Sequence, residues 1–312
     1  MSKFDEVYLD LCERILHDGE RVSNNPAVAK MKLKNNAGTN MPNHLAQTLN
    51  PIVTYRLPQQ VLRFDLAEEF PILTTKFVGY KSAILEMLWI YQAQSNDVRW
   101  LRERGVKIWN EWEIDADGNY LGKHFGKEYA HTIGTAYGWV VNRYQLVQGL
   151  IETLKNDSNN RRMIMSLWQN EFLPTAALPS CVWNTQWSAM NGRLNVTVTV
   201  RSNDVPLGMP YNITQYATLC HLIARATGLK AGQMLYVIND CHIYENQIEG
   251  IKEQIRRRDE KMAKDGALFP APKLWINPRR KDFFKIDNSK ELLDIRLDGY
   301  QHQGRIKMPV TM

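Results

Sequence analysis

The chain has 312 residues, 44% of them hydrophobic and 10% aromatic, which supports a large core in one big domain or two modest ones. Its net charge is +6, and its four cysteines, Cys12, Cys181, Cys220 and Cys241, include no CxxC pair, which argues against a disulfide framework and against a metal site. No stretch reaches the roughly eighteen apolar residues of a membrane span, and Met1-Ser2-Lys3-Phe4-Asp5-Glu6 lacks the apolar core of a signal peptide, so a cytoplasmic protein is expected.

Residues 4–18 predict an amphipathic helix, because Phe4, Val7, Tyr8, Leu11, Ile15 and Leu16 recur at helical spacing. Residues 19–50 are rich in Asn, Pro and Gly and read as an irregular loop. Strands follow over 52–55 and 60–64, and residues 71–76 read as a turn entering a helix. Residues 79–94 are apolar almost all round, the mark of a buried helix, and Glu86 lies inside it. A buried carboxylate must be paired, hydrogen-bonded or protonated, so Glu86 is either a structural partner or a proton relay. Residues 113–135 read as loop and 144–155 as a helix. Strands are expected over 163–168, 183–189 and 194–201, the last pair joined at Asn191-Gly192, the clearest hairpin turn in the chain. A helix over 212–227 ends before Gly228, a residue suited to the C′ position. A strand over 233–238, a long helix over 242–258 and a short strand over 274–276 complete the pattern. With no repeat and no clear linker, this is a single α+β domain over 1–312, its large mixed or antiparallel sheet flanked by helices. The basic runs Arg256-Arg257-Arg258 and Arg279-Arg280-Lys281 read as solvated helix ends and loops, so a nucleic-acid partner is not expected.

The stretch richest in chemistry is Leu178-Pro179-Ser180-Cys181-Val182-Trp183-Asn184-Thr185-Gln186-Trp187, followed by Arg201-Ser202-Asn203-Asp204 and Pro210-Tyr211-Asn212. A lone buried cysteine is ordinarily packing. Nearby arginines change that reading, because positive charge favours the reactive thiolate. Arg201 ends one strand and Arg161 and Arg162 precede another; together they would hold a phosphate and lower the Cys181 pKa. Asn212 offers an acceptor and a donor in one plane, matching O4 and N3–H of uracil, where an aspartic acid would suit cytosine. Taken alone, Asn212 reads as the N-cap of its helix. His242 and Tyr244 point the same way on an extended segment and could hold a sugar hydroxyl; at a helix start they could equally be structural.

These segments stand in an order that resembles the thymidylate synthase family, which includes the pyrimidine-nucleotide hydroxymethylases. The resemblance runs from about Arg63 to the C-terminus. It is carried also by Phe70-Pro71-Ile72-Leu73-Thr74-Thr75-Lys76, Glu86-Met87-Leu88-Trp89, Ile108-Trp109-Asn110-Glu111-Trp112, Ala136-Tyr137-Gly138, Asn160-Arg161-Arg162, Asp240-Cys241-His242-Ile243-Tyr244 and Ile306-Lys307-Met308-Pro309-Val310. It implies a homodimer formed through the sheet that acts on dUMP with 5,10-methylenetetrahydrofolate as co-substrate. Cys181 would attack C6 of the uracil, with Asn212 reading the ring and Glu86, Tyr137 and Asp204 completing the catalytic set. Arg201, Ser202, Gln186, His242 and Tyr244 would bind the nucleotide, and Arg161 and Arg162 would reach the partner's nucleotide. Ile108, Trp109, Trp112, Asp204, Leu207, Gly208, Tyr211 and Val310 would contact the folate, over which a mobile C-terminal tail would close.

The chain departs from the family in places. An arginine usual in the N-terminal loop has no secure counterpart in Lys34-Asn35-Asn36-Ala37-Gly38-Thr39-Asn40, and Arg21 and Arg56 are both candidates. Val182, Asn110, Tyr211, Pro206 and Asn239 also stand where other residues are common. Two products remain open. Hydride from tetrahydrofolate gives dTMP, while water at the same carbon gives the 5-hydroxymethyl nucleotide of a deoxyuridylate hydroxymethylase. An inactive nucleotide- or nucleic-acid-binding homologue is the remote alternative.

Overall fold

The computed structural model describes residues 2–23 and 52–311. Helix α1 (Lys3–Asp18) buries Phe4, Tyr8, Leu11, Cys12 and Ile15 on one side, as the periodicity predicts. Strand β1 (Glu20–Ser23) then pairs with β2 (Val53–Asp65), so the first residues of the expected loop are in fact a strand. Residues 24–50 of that loop, with Lys34 to Asn40, lie outside the described residues. The expected strands over 52–55 and 60–64 are one continuous strand. Pro58 sits just beyond the β2 residues that pair with β1, where, among the described residues, β2 pairs on one side only and a missing N–H is tolerated.

Helix α2 (Tyr80–Tyr91) is buried all round, and α3 (Val98–Glu103), unforeseen in the sequence, is capped by Asp97, whose side chain accepts from Arg99 N. A ribbon of β3 (Asn119–Tyr120) and β4 (Lys123–His124) interrupts the expected loop over 113–135. Next come α4 (Gly138–Arg143), also unforeseen, and α5 (Leu146–Asn156). The centre of the molecule is built from β5 (Ile164–Ser166), β6 (Val182–Met190), β7 (Arg193–Asp204), α6 (Gly208–Ala226) and β8 (Lys230–Tyr244). Helix α7 (Ile248–Asp265) and the small pair β9 (Lys273–Ile276) and β10 (Ile295–Asp298) follow.

One six-stranded sheet organises these elements, in the order β1-β2-β8-β7-β6-β5. All its pairs are antiparallel except β7 with β8, which are parallel and joined by α6. The β6–β7 hairpin turns at Asn191 and Gly192, with φ of 52° and 72°, as a type I′ turn requires. Helix α6 ends with Gly228 at φ 75°, the left-handed conformation that glycine adopts freely. The expected helix over 242–258 begins only at Ile248. Residues 242–244 remain in β8, because all three pair with β2 and His242 also pairs with β7.

Residues 74–76 do bend, but the helix begins only at Tyr80, and one buried carboxylate holds the bend. Asp5 of α1 accepts from the Thr74 and Thr75 amides at 3.0 and 3.1 Å and from their hydroxyls at 2.6 and 2.8 Å. Gln254 of α7 donates to Thr75 Oγ1 at 2.8 Å, and Gln303 N donates to Thr74 O at 2.9 Å. The N-terminal helix, α7 and the C-terminal segment therefore meet at this point. Asp5→Ala leaves several buried donors unpaired and is expected to cost about 3 kcal/mol or more of stability, read from the urea midpoint. A change below about 0.5 kcal/mol would contradict this assignment.

Candidate active site

The sheet ends in a cavity of about 180 Å³ beneath α2 and the start of α6. Glu86, Trp109, Tyr137, Cys181, Ser202, Asp204, Gly208 and Asn212, all expected site residues, line it. It holds the groups for nucleophilic attack, proton transfer and recognition of a planar ring.

Cys181 opens β6, and its carbonyl accepts from Arg201 N at 2.9 Å across the β6–β7 ladder. That pairing carries the Arg201 guanidinium to the thiol. Its Nη2 lies 3.8 Å from Sγ and donates to Pro179 O at 2.8 Å, while Nε donates to Ser180 O at 3.1 Å. Burial pushes the thiol pKa up; Arg201 and Tyr137 pull it down, but the net direction is upward. The expected lowering by three arginines is not met within the chain, because Arg161 and Arg162 are exposed and outside the cavity lining.

Glu86 projects from α2 into the cavity wall. Its Oε1 accepts from Trp109 Nε1 at 2.8 Å and its Oε2 from Gln215 Nε2 at 2.6 Å. Burial raises its pKa to about 7, against the opposing pull of these two bonds. A carboxyl poised there can both give and take a proton near neutral pH.

The Tyr137 hydroxyl accepts from Cys181 N at 2.9 Å. Its own backbone is strained, with φ 48° and ψ −109°. The next residue must be glycine, since a Cβ on Gly138 would lie 2.0 Å from Ser95 O. The Ala-Tyr-Gly motif thus fixes one hydroxyl beside the cysteine.

Asn212 is inside α6, which starts at Gly208, so it is not an N-cap. Its Nδ2 donates to Gln215 Oε1 at 3.2 Å, and its Oδ1 accepts from Asn203 and from Tyr236, each at 3.4 Å. The amide plane is thereby held toward the cavity. Asp204 accepts from Leu207 N at 3.0 Å and from Gln247 Nε2 at 3.1 Å. Gln247 also donates to Pro309 O at 3.3 Å, which ties the C-terminal segment to the site. Met308 packs on α7, where a Cβ on Gly250 would come within 2.7 Å of it.

His242 and Tyr244 stand outside the cavity lining, on β8 beside Asp204, their rings edge to face at 5.0 Å. Trp112 packs against Trp109 at 5.4 Å, and Tyr211 packs over Gly79. Leu207 is half-buried beside them, Ile108 is 37% exposed and Val310 55% exposed. Gln186 faces solvent on β6, away from the cavity lining. Sequence reasoning missed Gln215, Asn203 and Gln247. The i, i+3 spacing of Asn212 and Gln215 on one helix is a signal for the first; the others come together only through sheet register and chain reversal.

The pKa of Glu86 has a checkable consequence. From pH 4.5 to about 7 the folded chain keeps a proton that the unfolded chain gives up, so this group's contribution to stability falls as pH rises through that window. Ionised Glu86 is expected to cost about 3 kcal/mol relative to its acid form. Carbon-13 NMR of the labelled carboxyl should show a midpoint near neutrality, and Trp109→Phe, which removes a donor to the ionised form, should raise it. A midpoint in the ordinary glutamate range would refute this.

A family model described as thymidylate synthase matches residues 6–312. The thymidylate synthase of Clostridium beijerinckii is 40% identical over 312 residues, covering the whole of both chains. The thymidylate synthase of Bacillus phage phi3T is 35% identical, again over the whole of both. Among solved structures, the thermostable thymidylate synthase A from Bacillus subtilis matches with a TM-score of 0.77 at 34% identity, over 98% of this chain and 99% of that one. Matched from end to end in sequence and in fold, the chain belongs to the thymidylate synthase family.

Proposed function

We propose that the protein converts dUMP to dTMP, with 5,10-methylenetetrahydrofolate as the one-carbon donor and dihydrofolate as the second product. The observation that carries this reading is one cavity shared by a cysteine with an arginine at 3.8 Å, a carboxyl that titrates at about 7, and an oriented side-chain amide.

Binding of the nucleotide sets the uracil edge against Asn212, which accepts from N3–H and donates to O4. The Cys181 sulfur then bonds to C6, and the C5–C6 π pair moves toward C5 and O4. Burial favours the protonated thiol, so its proton passes to water as the ring is attacked, and Arg201 steadies the thiolate. Asn212 shares the charge that develops at O4. C5 bonds to the one-carbon unit, Tyr137 and Glu86 move the C5 proton, Glu86 through water, and the carbon's bond to the folate nitrogen breaks as that nitrogen takes a proton. Loss of the Cys181–C6 bond regenerates the thiolate. The bound folate supplies both the carbon and the hydride.

The aromatic wall of Trp109, Trp112 and Tyr211 suits a flat folate ring, and Asp204 offers an acceptor for a ring N–H. Leu207 and Gly208 adjoin it, and Ile108 and Val310 would close the rim. Arg201 and Ser202 would hold the phosphate, with His242 and Tyr244 on the sugar. A homodimer through the sheet fits the half-exposed row of Gln186, Thr197 and Leu235 and the 57% exposed Val61. Arg161 and Arg162, which face outward, would then reach the partner's nucleotide. A free thiol nucleophile also suits a reducing setting such as the cytoplasm.

Incubated with dUMP and methylenetetrahydrofolate, the protein should yield methylated nucleotide and dihydrofolate in step. Hydroxymethylated nucleotide without dihydrofolate would move the protein to the water route. Cys181→Ala should lower turnover by about three orders of magnitude or more. Asn212→Asp should shift preference from dUMP toward dCMP, and unchanged discrimination would contradict the ring-reading role.

A further inference from the structure

Arg56 has no task in the scheme above, yet it lies in line with the site. Four strands bring Asp204 of β7, His242 of β8, Arg56 of β2 and Glu20 of β1 directly opposite one another. Directly opposed residues in a sheet share a face. Arg56 Nη1 donates to Asp240 Oδ2 at 2.9 Å, and the other carboxylate oxygen meets His242 Nδ1 at 2.8 Å. Burial would raise the Asp240 pKa, but the bonds from His242 and Arg56 outweigh it and hold the group ionised. The His242 side chain is only 8% exposed, against 39% for Arg56. Arg21 is one residue out of step, opposite Tyr55, and it pairs with Glu245 instead.

An ionised carboxylate accepts hydrogen bonds and donates none, so His242 Nδ1 must carry a proton. The other ring nitrogen, Nε2, is then free to accept. With Arg56 gone, Asp240 would keep its bond to His242 Nδ1, and the β2 bond that fixes its second oxygen would be lost.

We propose that Arg56 is a positioning residue for the nucleotide's sugar: bound to Asp240, it fixes His242 with Nδ1–H on Asp240 and Nε2 turned to accept the 3′-hydroxyl. This rests on the dUMP reading of the site.

The test compares dUMP with its 3′-deoxy analogue in wild type, Arg56→Met and Arg56→Lys, measuring kcat and KM for each. Arg56→Met should raise KM for dUMP by about fivefold to tenfold while kcat stays within about twofold, as for loss of one charge-assisted hydrogen bond in a chain. The wild-type penalty for the missing hydroxyl should shrink by the same factor, and Arg56→Lys should recover part of it. Equal losses on both nucleotides would overturn the proposal and make Arg56 a phosphate ligand or a purely structural residue. Nitrogen-15 NMR of labelled histidine gives a readout independent of turnover. The wild type should show the Nδ1–H form of His242, and Arg56→Met should lose it or mix it with the other forms. An unchanged His242 signal in Arg56→Met refutes the positioning role even if the wild type proves inert toward dUMP. That inertness, seen in the wild type alone, would sink the functional reading instead.

Discussion

The parallel pairing of β7 with β8 decides where the functional groups can stand. Parallel neighbours must be joined by a crossover, and here the crossover is α6. Both strands therefore finish at the same end of the sheet, with Asp204 on β7 opposite His242 on β8. The crossover helix must start where β7 stops, which brings Gly208, Asn212 and Gln215 to that end. Strand β6 runs antiparallel to β7 and so begins there, with Cys181 at its head beside Arg201. The Cys181 thiol, the Arg201 guanidinium and the Asn212 amide converge without any long loop to carry them.

Burial then sets the chemistry of these groups. It raises Glu86 to about 7 and keeps the Cys181 thiol and the Tyr137 hydroxyl protonated, while lowering Lys76 to about 8. Lys76 donates to Pro206 O, beside the turn in which Asp204 binds Leu207 N, and its charge partly offsets the cost of burying Asp204. Glu86 and Lys76 are thus moved toward the point where they exchange a proton, Cys181 and Tyr137 away from it, and each is held by named partners from another element. The strain at Tyr137 belongs to the same design: a tyrosine and a following glycine are forced into a geometry that sets one hydroxyl on the Cys181 amide.

Much of this is readable in the sequence. The helix over 3–18, the buried helix with Glu86 and the Asn191-Gly192 hairpin follow from periodicity and turn chemistry, because each depends on near neighbours. What local pattern misses depends on pairing. His242 and Tyr244 look like a helix start, but pairing with β2, and for His242 also with β7, keeps them extended. Asn212 looks like a cap, but Gly208 to Tyr211 already form the first turn of α6. Gln247 and Arg56 have no local mark at all. Their partners Asp204 and Asp240 lie 43 and 184 residues away in the chain, and only the sheet register brings them close. The order of motifs identified the family where single residues could not, since each residue alone has an ordinary structural explanation.

The claim on which the rest turns is that Cys181 forms a bond to the pyrimidine before carbon is transferred. It is tested most directly with 5-fluoro-dUMP and methylenetetrahydrofolate, since fluorine at C5 cannot leave as the proton does and the adduct cannot collapse. Peptide mass spectrometry after denaturation should find nucleotide and folate together on the peptide bearing Cys181, and none on Cys181→Ser. A protein that turns over dUMP yet gives no adduct, or carries it on Cys12, Cys220 or Cys241, would contradict the account.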